Sequence, residues 1–194
     1  MLLNAQALAA ERQGRRLWGP LDCTLHAGEA LHVRGPNGCG KTTLLRTLAG
    51  LRPPLSGRVQ RHAPLWSLGH ACPLADELGA LDNLSTWLDM SGASPAPDTL
   101  RDWLRRWHLP ARRPVRQLSA GQRRKLHLAP LHLAPRPLWL LDEPFDALDA
   151  AGVAWLTDAT RAHLASGGAV VLTAHHALPD GFPACTPLDL GASA

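Results

Sequence analysis

The sequence predicts an α/β fold, and three observations support this prediction. Short apolar stretches alternate with helical patterns, a glycine-rich turn joins one apolar stretch to a helix, and a long helical region occupies the middle of the chain. The chain has 194 residues, enough for one domain with a full hydrophobic core. Hydrophobic residues make up 45% and charged residues 19%, as in globular proteins. We therefore expect a single domain over residues 1–194.

The first part of the chain predicts strands and one helix. Apolar stretches typical of strands cover residues 2–8, 21–25 and 30–34. The third stretch runs into the glycine-rich turn, and a helical pattern follows over 41–49. Two weaker strands, over 58–60 and 66–68, come after a break at two adjacent prolines.

The middle of the chain predicts a helical subdomain over about 75–135, inserted between the two strand-containing parts of the core. Its helical pattern runs from about 81 to 133, with an interruption rich in Pro, Ser and Gly over 91–97. Apolar side chains recur at positions i, i+3, i+4 and i+7, which are Leu100, Trp103, Leu104 and Trp107. Such a stripe indicates a small core rather than a platform for a ligand.

The last part predicts two buried parallel strands, over 138–141 and 169–173, linked by a helix over 150–165. A polar, proline-rich tail follows. Pro130 interrupts the helical pattern before these strands, so we expect a kink or an early helix end there.

Composition argues against several classes of protein. No run approaches the ~18 uninterrupted apolar residues of a membrane span. Residues 1–11 lack a basic leader and a cleavage site, so we expect a cytoplasmic location. The cysteines Cys23, Cys39, Cys72 and Cys185 have neither the spacing of a zinc site nor that of a disulfide framework, and we expect reduced thiols.

The net charge of +4 comes almost wholly from arginine, and many arginines lie between residues 101 and 125. This arginine cluster comprises Arg101, Arg105, Arg106, Arg112, Arg113, Arg116, Arg123 and Arg124. Such a face could meet phosphate, acidic lipid or an acidic partner, but the simpler interpretation is a solvated helical surface. Charge alone does not predict nucleic-acid binding.

The turn after the third strand matches the phosphate-loop motif GxxxxGK[ST] between a strand and a helix. Its backbone N–H groups and the helix N-terminus can surround phosphate oxygens. Lys41 should reach the β- and γ-phosphates, and the Thr42 hydroxyl should ligate Mg²⁺. Cys39 is interpreted as a small tolerated residue rather than a redox switch. The candidate phosphate-binding residues are Gly35, Pro36, Asn37, Gly38, Cys39, Gly40, Lys41, Thr42 and Thr43.

Two adjacent acids follow the apolar run over 138–141. Asp142 is the candidate acid on the metal side, and Glu143 is the candidate general base for the attacking water of a phosphoryl transfer. Such a pair is weak evidence alone. Its value comes from the phosphate loop upstream, with a helical insertion between the two motifs.

A third motif, Leu118-Ser119-Ala120-Gly121-Gln122, begins a helix after a basic loop. Ser119 alone would indicate only a helix cap, but a hydroxyl and small residues at a helix N-terminus can also bind an anion. With the two other motifs in this order, residues from about 10 to 175 resemble the ABC ATPase family, in which the signature loop of one subunit closes over ATP held by the other. The resemblance implies a P-loop NTPase fold of ABC ATPase type: a mixed core sheet flanked by helices, with an antiparallel β part and a helical subdomain.

The same resemblance implies roles for further residues. Asp149 lies where the family's D-loop follows the catalytic glutamate. His175 lies where the family's switch histidine contacts the γ-phosphate, with His176 as a weaker candidate. Arg12 stands where many relatives carry an aromatic ring on adenine, and a guanidinium plane can also stack on a base.

The residues of several segments resemble those of the haem exporter ATP-binding proteins of the cytochrome c maturation system. These segments are residues 35–38, 44–46, 49–51, 68–70, 81–84, 118–124 and 137–149. Most ABC ATPases carry a glutamine in the loop that senses nucleotide and touches the transmembrane partner, and this subfamily has a Gly-His pair there. His70 is therefore a functional candidate, and the alternative is a histidine that merely closes a strand.

The resemblance implies a homodimer that hydrolyses two ATP with Mg²⁺ while docked on an integral membrane permease. It implies a peripheral position at the cytoplasmic face of the bacterial inner membrane, and work in haem export or in release of a haem-loaded chaperone. Haem contact would be indirect, because the sequence has no CxxCH motif and no His/Met ligand pair.

Three other functions explain the motifs of this sequence less well. Another small ABC exporter is the main alternative, and the Gly-His pair argues against it. A nucleic-acid-associated ABC ATPase would suit the arginine cluster, but such proteins usually carry two cassettes or a long coiled-coil arm, so direct nucleic-acid binding is not expected. A phosphate-loop kinase would not explain residues 118–122 or His175.

Overall fold

The computed structural model describes residues 1–69 and 73–190, which divide into two compact units. The first unit comprises residues 1–69, 136–144 and 156–190. The second comprises residues 73–135 and 145–155, so it includes a segment after the acidic pair as well as the helical insertion. That the whole chain acts as one functional domain stays a prediction.

The first half of the described chain contains β1 (Leu3–Arg12), β2 (Arg15–Leu25), β3 (Ala30–Arg34), α1 (Lys41–Ala49), β4 (Ser56–Arg61) and β5 (Leu65–Leu68). The second half contains α2 (Ala80–Met90), α3 (Pro97–Arg106), a 3₁₀ turn (Val115–Gln117), α4 (Ala120–Leu128), α5 (Pro130–Leu133), β6 (Leu138–Leu141), α6 (Ala150–Ala165), β7 (Ala169–Thr173) and β8 (Thr186–Asp189). The predicted α/β architecture, with an antiparallel part and a helical part, is confirmed.

The first unit holds two sheets. A five-stranded sheet has the order β5-β6-β7-β3-β8, with parallel pairing throughout. An antiparallel three-stranded sheet has the order β2-β1-β4. Because parallel strands present their carboxyl ends at one edge, the turn after β3, the acids after β6 and the segment after β7 meet at that edge.

The core of the first unit explains why its strands are so apolar. All residues of β6 and β7 are buried, as expected for parallel strands covered on both faces. Leu44 and Leu48 of α1 are fully buried in the same cluster as Leu138 and Leu140 of β6. Each such leucine contributes roughly 1.5–3 kcal/mol by burial. This packing fixes the phosphate loop between β3 and α1.

The second unit has a small aromatic core, as the stripe on α3 predicts. Trp103 and Trp107 are 3% and 9% exposed, and each meets the ring of Trp155 edge to face, at centroid distances of 5.1 Å and 5.8 Å. His132 stacks on Trp103 at 5.4 Å. The predicted interruption also appears, since α2 ends at Met90 and α3 begins at Pro97. The expectation of an otherwise continuous helical pattern to residue 133 is wrong, because the only helical element within residues 107–119 is a 3₁₀ turn.

The structure corrects several boundaries. The tail contains β8, a strand not expected from the sequence, which pairs with β3 at the edge of the parallel sheet. Pro187 is tolerated because β8 is an edge strand, whereas a proline in the sequence argues against a strand. The first two strands are longer than expected, because register shifts interrupt their alternation. At Pro130 the early helix end is confirmed, since α4 stops at Leu128 and the proline takes the first turn of α5.

No helix within residues 1–69 and 73–190 is long and apolar enough to cross a membrane.

Candidate active site

A pocket of about 390 Å³ lies at the carboxyl edge of the parallel sheet in the first unit. It is lined by Arg12, Leu17, Asn37, Gly38, Gly40, Lys41, Thr42, Thr43, Asp142, Glu143 and His175. The structure thus brings together most of the residues singled out in the phosphate loop, the acidic pair and the segment after β7. Their chemical roles stay predictions.

Lys41 is held inside the phosphate loop. Its Nζ donates to the carbonyl oxygens of Gly35, at 2.8 Å, and Pro36, at 3.4 Å. The residue is 8% exposed, so its ammonium group is a concentrated positive charge at the loop. The ammonium group can exchange these carbonyl oxygens for phosphate oxygens while the Lys41 backbone stays in place.

Gly40 shapes the end of the loop. It has a φ of 103°, a conformation that favours glycine. A Cβ there would lie 2.6 Å from Nε1 of Trp18, and that same indole nitrogen donates to the Gly40 carbonyl at 3.3 Å. The close approach of Trp18 therefore requires glycine at this position. The hydrogen bond from Trp18, a residue of the antiparallel sheet, stabilises the loop.

Cys39 packs against the hydrophobic core beneath the loop. Together with Cys23 and Cys185 it is a free cysteine. This packing agrees with its interpretation as a small tolerated residue.

Asp142 is fixed by two hydroxyl groups. Thr42 Oγ1 donates to Asp142 Oδ2 at 2.7 Å, and Thr173 Oγ1 donates to Asp142 Oδ1 at 2.8 Å. The aspartate is 3% exposed. Its carboxylate therefore has one oxygen on the phosphate-loop side and the other anchored to β7.

Glu143 adopts a left-handed backbone conformation with a φ of 50°. Its backbone N–H donates to Thr173 Oγ1 at 2.9 Å. Its side-chain Oε1 lies 3.6 Å from His175 Nε2, and the two side chains are 9% and 43% exposed, respectively. A non-glycine residue with positive φ stores strain, which the surrounding bonds must hold. The arrangement presents the carboxylate next to the pocket and the imidazole.

Arg12 and Leu17 line the pocket from the β1–β2 hairpin. Arg12 is exposed and Leu17 is half-buried. An apolar side chain and a guanidinium plane together can accept the face of a nucleotide base.

The residues present fit Mg²⁺. Thr42 and Asp142 supply two oxygen donors that meet at 2.7 Å beside the pocket. Mg²⁺ is commonly held by one or two protein oxygens together with substrate phosphates and waters, rather than by a cage of protein ligands. In the part of the chain that the structure describes, no group of three or more His, Cys, Asp or Glu side chains could hold a metal ion.

The signature motif lies in the second unit and caps α4. Ser119 Oγ accepts from the Gln122 backbone N–H at 3.2 Å, while the Gln122 side chain accepts from the Ser119 backbone N–H at 3.0 Å. This reciprocal capping box fixes the entry to the helix. Ala120 and Gly121 form the first turn, and a Cβ at Gly121 would lie 2.9 Å from the Ala147 carbonyl.

Asp149 is tied to the same helix within the second unit. Its Oδ2 accepts from Lys125 Nζ at 2.7 Å, and its Oδ1 accepts from the Gly152 backbone N–H at 2.9 Å. The hydrogen bond from Lys125 holds the pKa of Asp149 below its usual value, with the Gly152 bond in support. Lys125 Nζ also lies 4.8 Å from the ring centroid of Trp107.

Two further predictions have different outcomes. His70 lies outside the described residues. His176 is exposed and does not line the pocket, whereas its neighbour His175 does.

Much of the arginine cluster is paired with acids of the second unit. Arg101 pairs with Asp98, Arg105 with Asp102, Arg116 with Glu77 and Arg123 with Asp76. These pairs are largely exposed, which favours the interpretation as a solvated helical surface.

Sequence reasoning missed three residues around the site. Leu17 and Trp18 contact the pocket or its loop from the hairpin, and Thr173 bonds to both acids. A polar residue at the end of the apolar run over 169–173 was the available signal for Thr173, since side chains at the carboxyl ends of parallel strands meet. No comparable signal marked the hairpin residues.

The chain was compared with known protein families and curated proteins. The family model described as ABC transporter matches residues 19–146. The chain is 44% identical to the cytochrome c biogenesis ATP-binding export protein CcmA of Pseudomonas syringae pv. syringae (strain B728a), over 97% of this chain and 95% of that protein. It is 46% identical to the protein of the same name from Rhodobacter capsulatus, over 90% of this chain and 81% of that protein.

Solved structures show the same fold. The ATP-binding subunit of an ABC transporter matches with a TM-score of 0.81 and 22% identity, over 90% of this chain and 80% of that chain. An ATP-binding cassette solved as a dimer in a post-hydrolysis state with ADP and Pi matches with a TM-score of 0.79 and 20% identity, over 90% of this chain and 88% of that chain. The predicted fold is therefore confirmed.

Proposed function

The chain belongs to the ABC transporter family, and we propose that it is the ATP-binding and ATP-hydrolysing subunit of a transporter that serves cytochrome c maturation. One observation carries the proposal: Lys41, Thr42, Asp142, Glu143 and His175 line one pocket. Relatives that are 44–46% identical over nearly the whole chain are named cytochrome c biogenesis ATP-binding export proteins, which supports the choice of system.

In the proposed mechanism, the phosphate loop binds the β- and γ-phosphates of ATP, with Lys41 exchanging loop carbonyls for phosphate oxygens. Thr42 and Asp142 would hold Mg²⁺, which would supply positive charge beside the phosphates. Glu143 accepts a proton from the attacking water, and His175 lies beside it to contact the γ-phosphate. Arg12 and Leu17 receive the adenine. Most of the acceleration comes from positioning and charge stabilisation, because the protein forms no covalent intermediate in such transfers.

We further propose that two copies of the chain pair, so that Ser119, Ala120, Gly121 and Gln122 of one copy meet the ATP bound by the other, with Asp149 nearby. The dimeric cassette with ADP and Pi supports this by shared fold. The pair would dock on an integral membrane permease, peripheral to the cytoplasmic face of the inner membrane, with His70 as a candidate contact. Hydrolysis would power haem export or release of a haem-loaded chaperone.

The test compares the wild-type chain with Glu143→Gln, which keeps the shape of the side chain and removes the base. We expect hydrolysis to fall at least about 100-fold, because general base catalysis typically supplies 10²–10⁴-fold. Light scattering should show an ATP-dependent dimer that persists in the variant. Asp158→Asn is the matched control, since Asp158 pairs with Arg161 on the surface, away from the pocket.

If Glu143→Gln hydrolyses ATP as fast as Asp158→Asn, the assignment of Glu143 is wrong. If ATP never drives dimerisation, the two-copy mechanism is wrong. Should the isolated wild-type chain be inactive, the same variants are measured in membranes that contain the permease.

A further inference from the structure

Thr173 is the last residue of β7 and is fully buried, with 0% exposure. The three residues before it, Val170, Val171 and Leu172, are equally buried and apolar. A hydroxyl in such surroundings is unfavourable unless it is hydrogen-bonded. The position would suit valine by shape, so the hydroxyl itself requires an explanation.

The hydroxyl of Thr173 makes two bonds of opposite direction. It donates a hydrogen bond to Asp142 Oδ1 at 2.8 Å and accepts one from the backbone N–H of Glu143 at 2.9 Å. Because one hydroxyl serves as donor and acceptor at once, it links the side chain of the first acid to the backbone of the second. These bonds tie β7 to the two acids after β6.

Each bond fixes a feature that the site needs. With Oδ1 of Asp142 held by Thr173, the other oxygen faces Thr42 at 2.7 Å, on the metal side of the pocket. The bond to the Glu143 N–H lies at the residue with a φ of 50°, a conformation that persists only when the surroundings hold it. The side chain of this residue lies 3.6 Å from Nε2 of His175.

We propose that Thr173 is a positioning residue for ATP hydrolysis, one buried hydroxyl that orients the metal-side carboxylate of Asp142 and holds Glu143 in its left-handed conformation toward His175. This inference rests on the proposed roles of Asp142 and Glu143. Thr173 does not line the pocket, so it acts through both acids. Outer partners of this kind typically change metal affinity or activity 10–100-fold when they are removed.

The test uses three variants of the full-length chain. Thr173→Val removes the hydroxyl and keeps the shape, Thr173→Ser keeps the hydroxyl and removes a methyl group, and Glu143→Gln reports on the proposed base. Hydrolysis is measured with the permease where the isolated chain is inactive. Binding of Mn²⁺ with ATP is measured on the isolated chain by electron paramagnetic resonance, a readout that needs no turnover. Thermal unfolding verifies that each variant is folded, and Thr173→Ala replaces Thr173→Val if valine prevents folding.

We expect Thr173→Val to lower kcat and to weaken Mn²⁺ binding by about 10-fold or more, with Thr173→Ser within about three-fold of wild type. ATP binding without metal should change little, because Thr173 does not line the pocket. A purely structural role would lower the melting temperature without this split between metal and nucleotide.

Two results would overturn the inference. One is a folded Thr173→Val chain with wild-type kcat and Mn²⁺ affinity. The other is a Thr173→Ser chain as impaired as Thr173→Val, since packing rather than the hydroxyl would then matter. In either case, lost hydrolysis in Glu143→Gln would leave the proposed function intact, whereas retained hydrolysis in Glu143→Gln would count against that function separately.

Discussion

Asp142 in the first unit and Asp149 in the second are close in sequence and have opposite surroundings. Asp142 is 3% exposed and receives bonds from two threonine hydroxyls, both within 2.8 Å. Asp149 is exposed, with a side chain 60% accessible, and it is held by Lys125 and by the backbone N–H of Gly152 in the helix that follows it. One aspartate is fixed by the core of a sheet and the other by a surface ion pair.

The difference extends through the two units. The first unit positions polar groups by burying them among parallel strands, where each neighbour is close-packed and has little room to move. The second unit carries many of its charges on helical surfaces, as exposed pairs one turn apart. Substitutions at close contacts should therefore be more damaging in the first unit than in the second.

A glycine in each unit provides the first test. A Cβ at Gly168 would overlap the imidazole of His163, and that ring cannot retreat because it stacks on Trp139 at a centroid distance of 3.8 Å. A Cβ at Gly152 would lie 3.0 Å from Cδ2 of Leu148 and 3.1 Å from Oδ1 of Asp149, both of which are ends of side chains. We expect Gly168→Ala to reduce the free energy of unfolding by about 2 kcal/mol, as overpacking typically does.

Gly152→Ala is the matched variant in the second unit. It should change the free energy of unfolding by less than about 0.5 kcal/mol, because the helix propensity of alanine offsets the contacts with Leu148 and Asp149. Urea unfolding followed by circular dichroism measures both. In a His163→Ala background, Gly168→Ala should lose most of its effect, and equal losses in both backgrounds would contradict the packing argument.

Sequence reasoning could predict the elements that carry strong periodicity. The bounds of β3, α1, β6, α6 and β7 agree with the expectation, because buried apolar runs and a phosphate-loop motif define them locally. The strand β8 could not be predicted in this way. Its pairing with β3 is a long-range property of the fold. Its own residues, which include Pro187, show no local pattern typical of a strand.

The candidate site shows the same division. The phosphate loop and the acids could be predicted because motif spacing encodes them. Leu17, Trp18 and Thr173 could not be assigned, since their contacts depend on which strand ends meet in space. The groups proposed for the chemistry could thus be predicted from the sequence, whereas the residues that position them could not.

His127 is an exception in the second unit, because it is a buried titratable group there. It is 2% exposed, and burial, with a smaller effect of Arg124, lowers its pKa to about 3. Its ordinary pKa is about 6.5, so below that pH the unfolded chain binds a proton that the folded chain does not. Stability is therefore present above pH 6.5 and is lost as the pH falls toward 3.

His127→Phe keeps a ring beside Trp87 and removes the proton site. Between pH 7 and pH 5, the wild-type chain should lose about 2 kcal/mol more unfolding free energy than the variant. Urea unfolding at several pH values measures the difference between the two curves, which cancels contributions from other histidines. Parallel curves would show that His127 takes up its proton in the folded chain, against the effect of burial.

Two arginines give the smallest contrast. Arg61 of the first unit donates to the carbonyl oxygens of Leu48 and Thr47, at 2.6 Å and 3.1 Å, where α1 ends. Arg101 of the second unit pairs with Asp98 on an exposed helical face. Arg61→Ala should reduce the unfolding free energy by about 1 kcal/mol, since it removes a charged donor from two carbonyls at the negative end of a helix.

Arg101→Ala should change the same quantity by less than about 0.5 kcal/mol, because water and salt screen an exposed pair. Measuring both variants in low and high salt separates the two cases, since only the Arg101 pair should depend mainly on screened charge. A larger loss for Arg101→Ala than for Arg61→Ala would mean that the arginine cluster stabilises the second unit. The contrast between buried and surface anchoring would then be limited to the two aspartates and the two glycines.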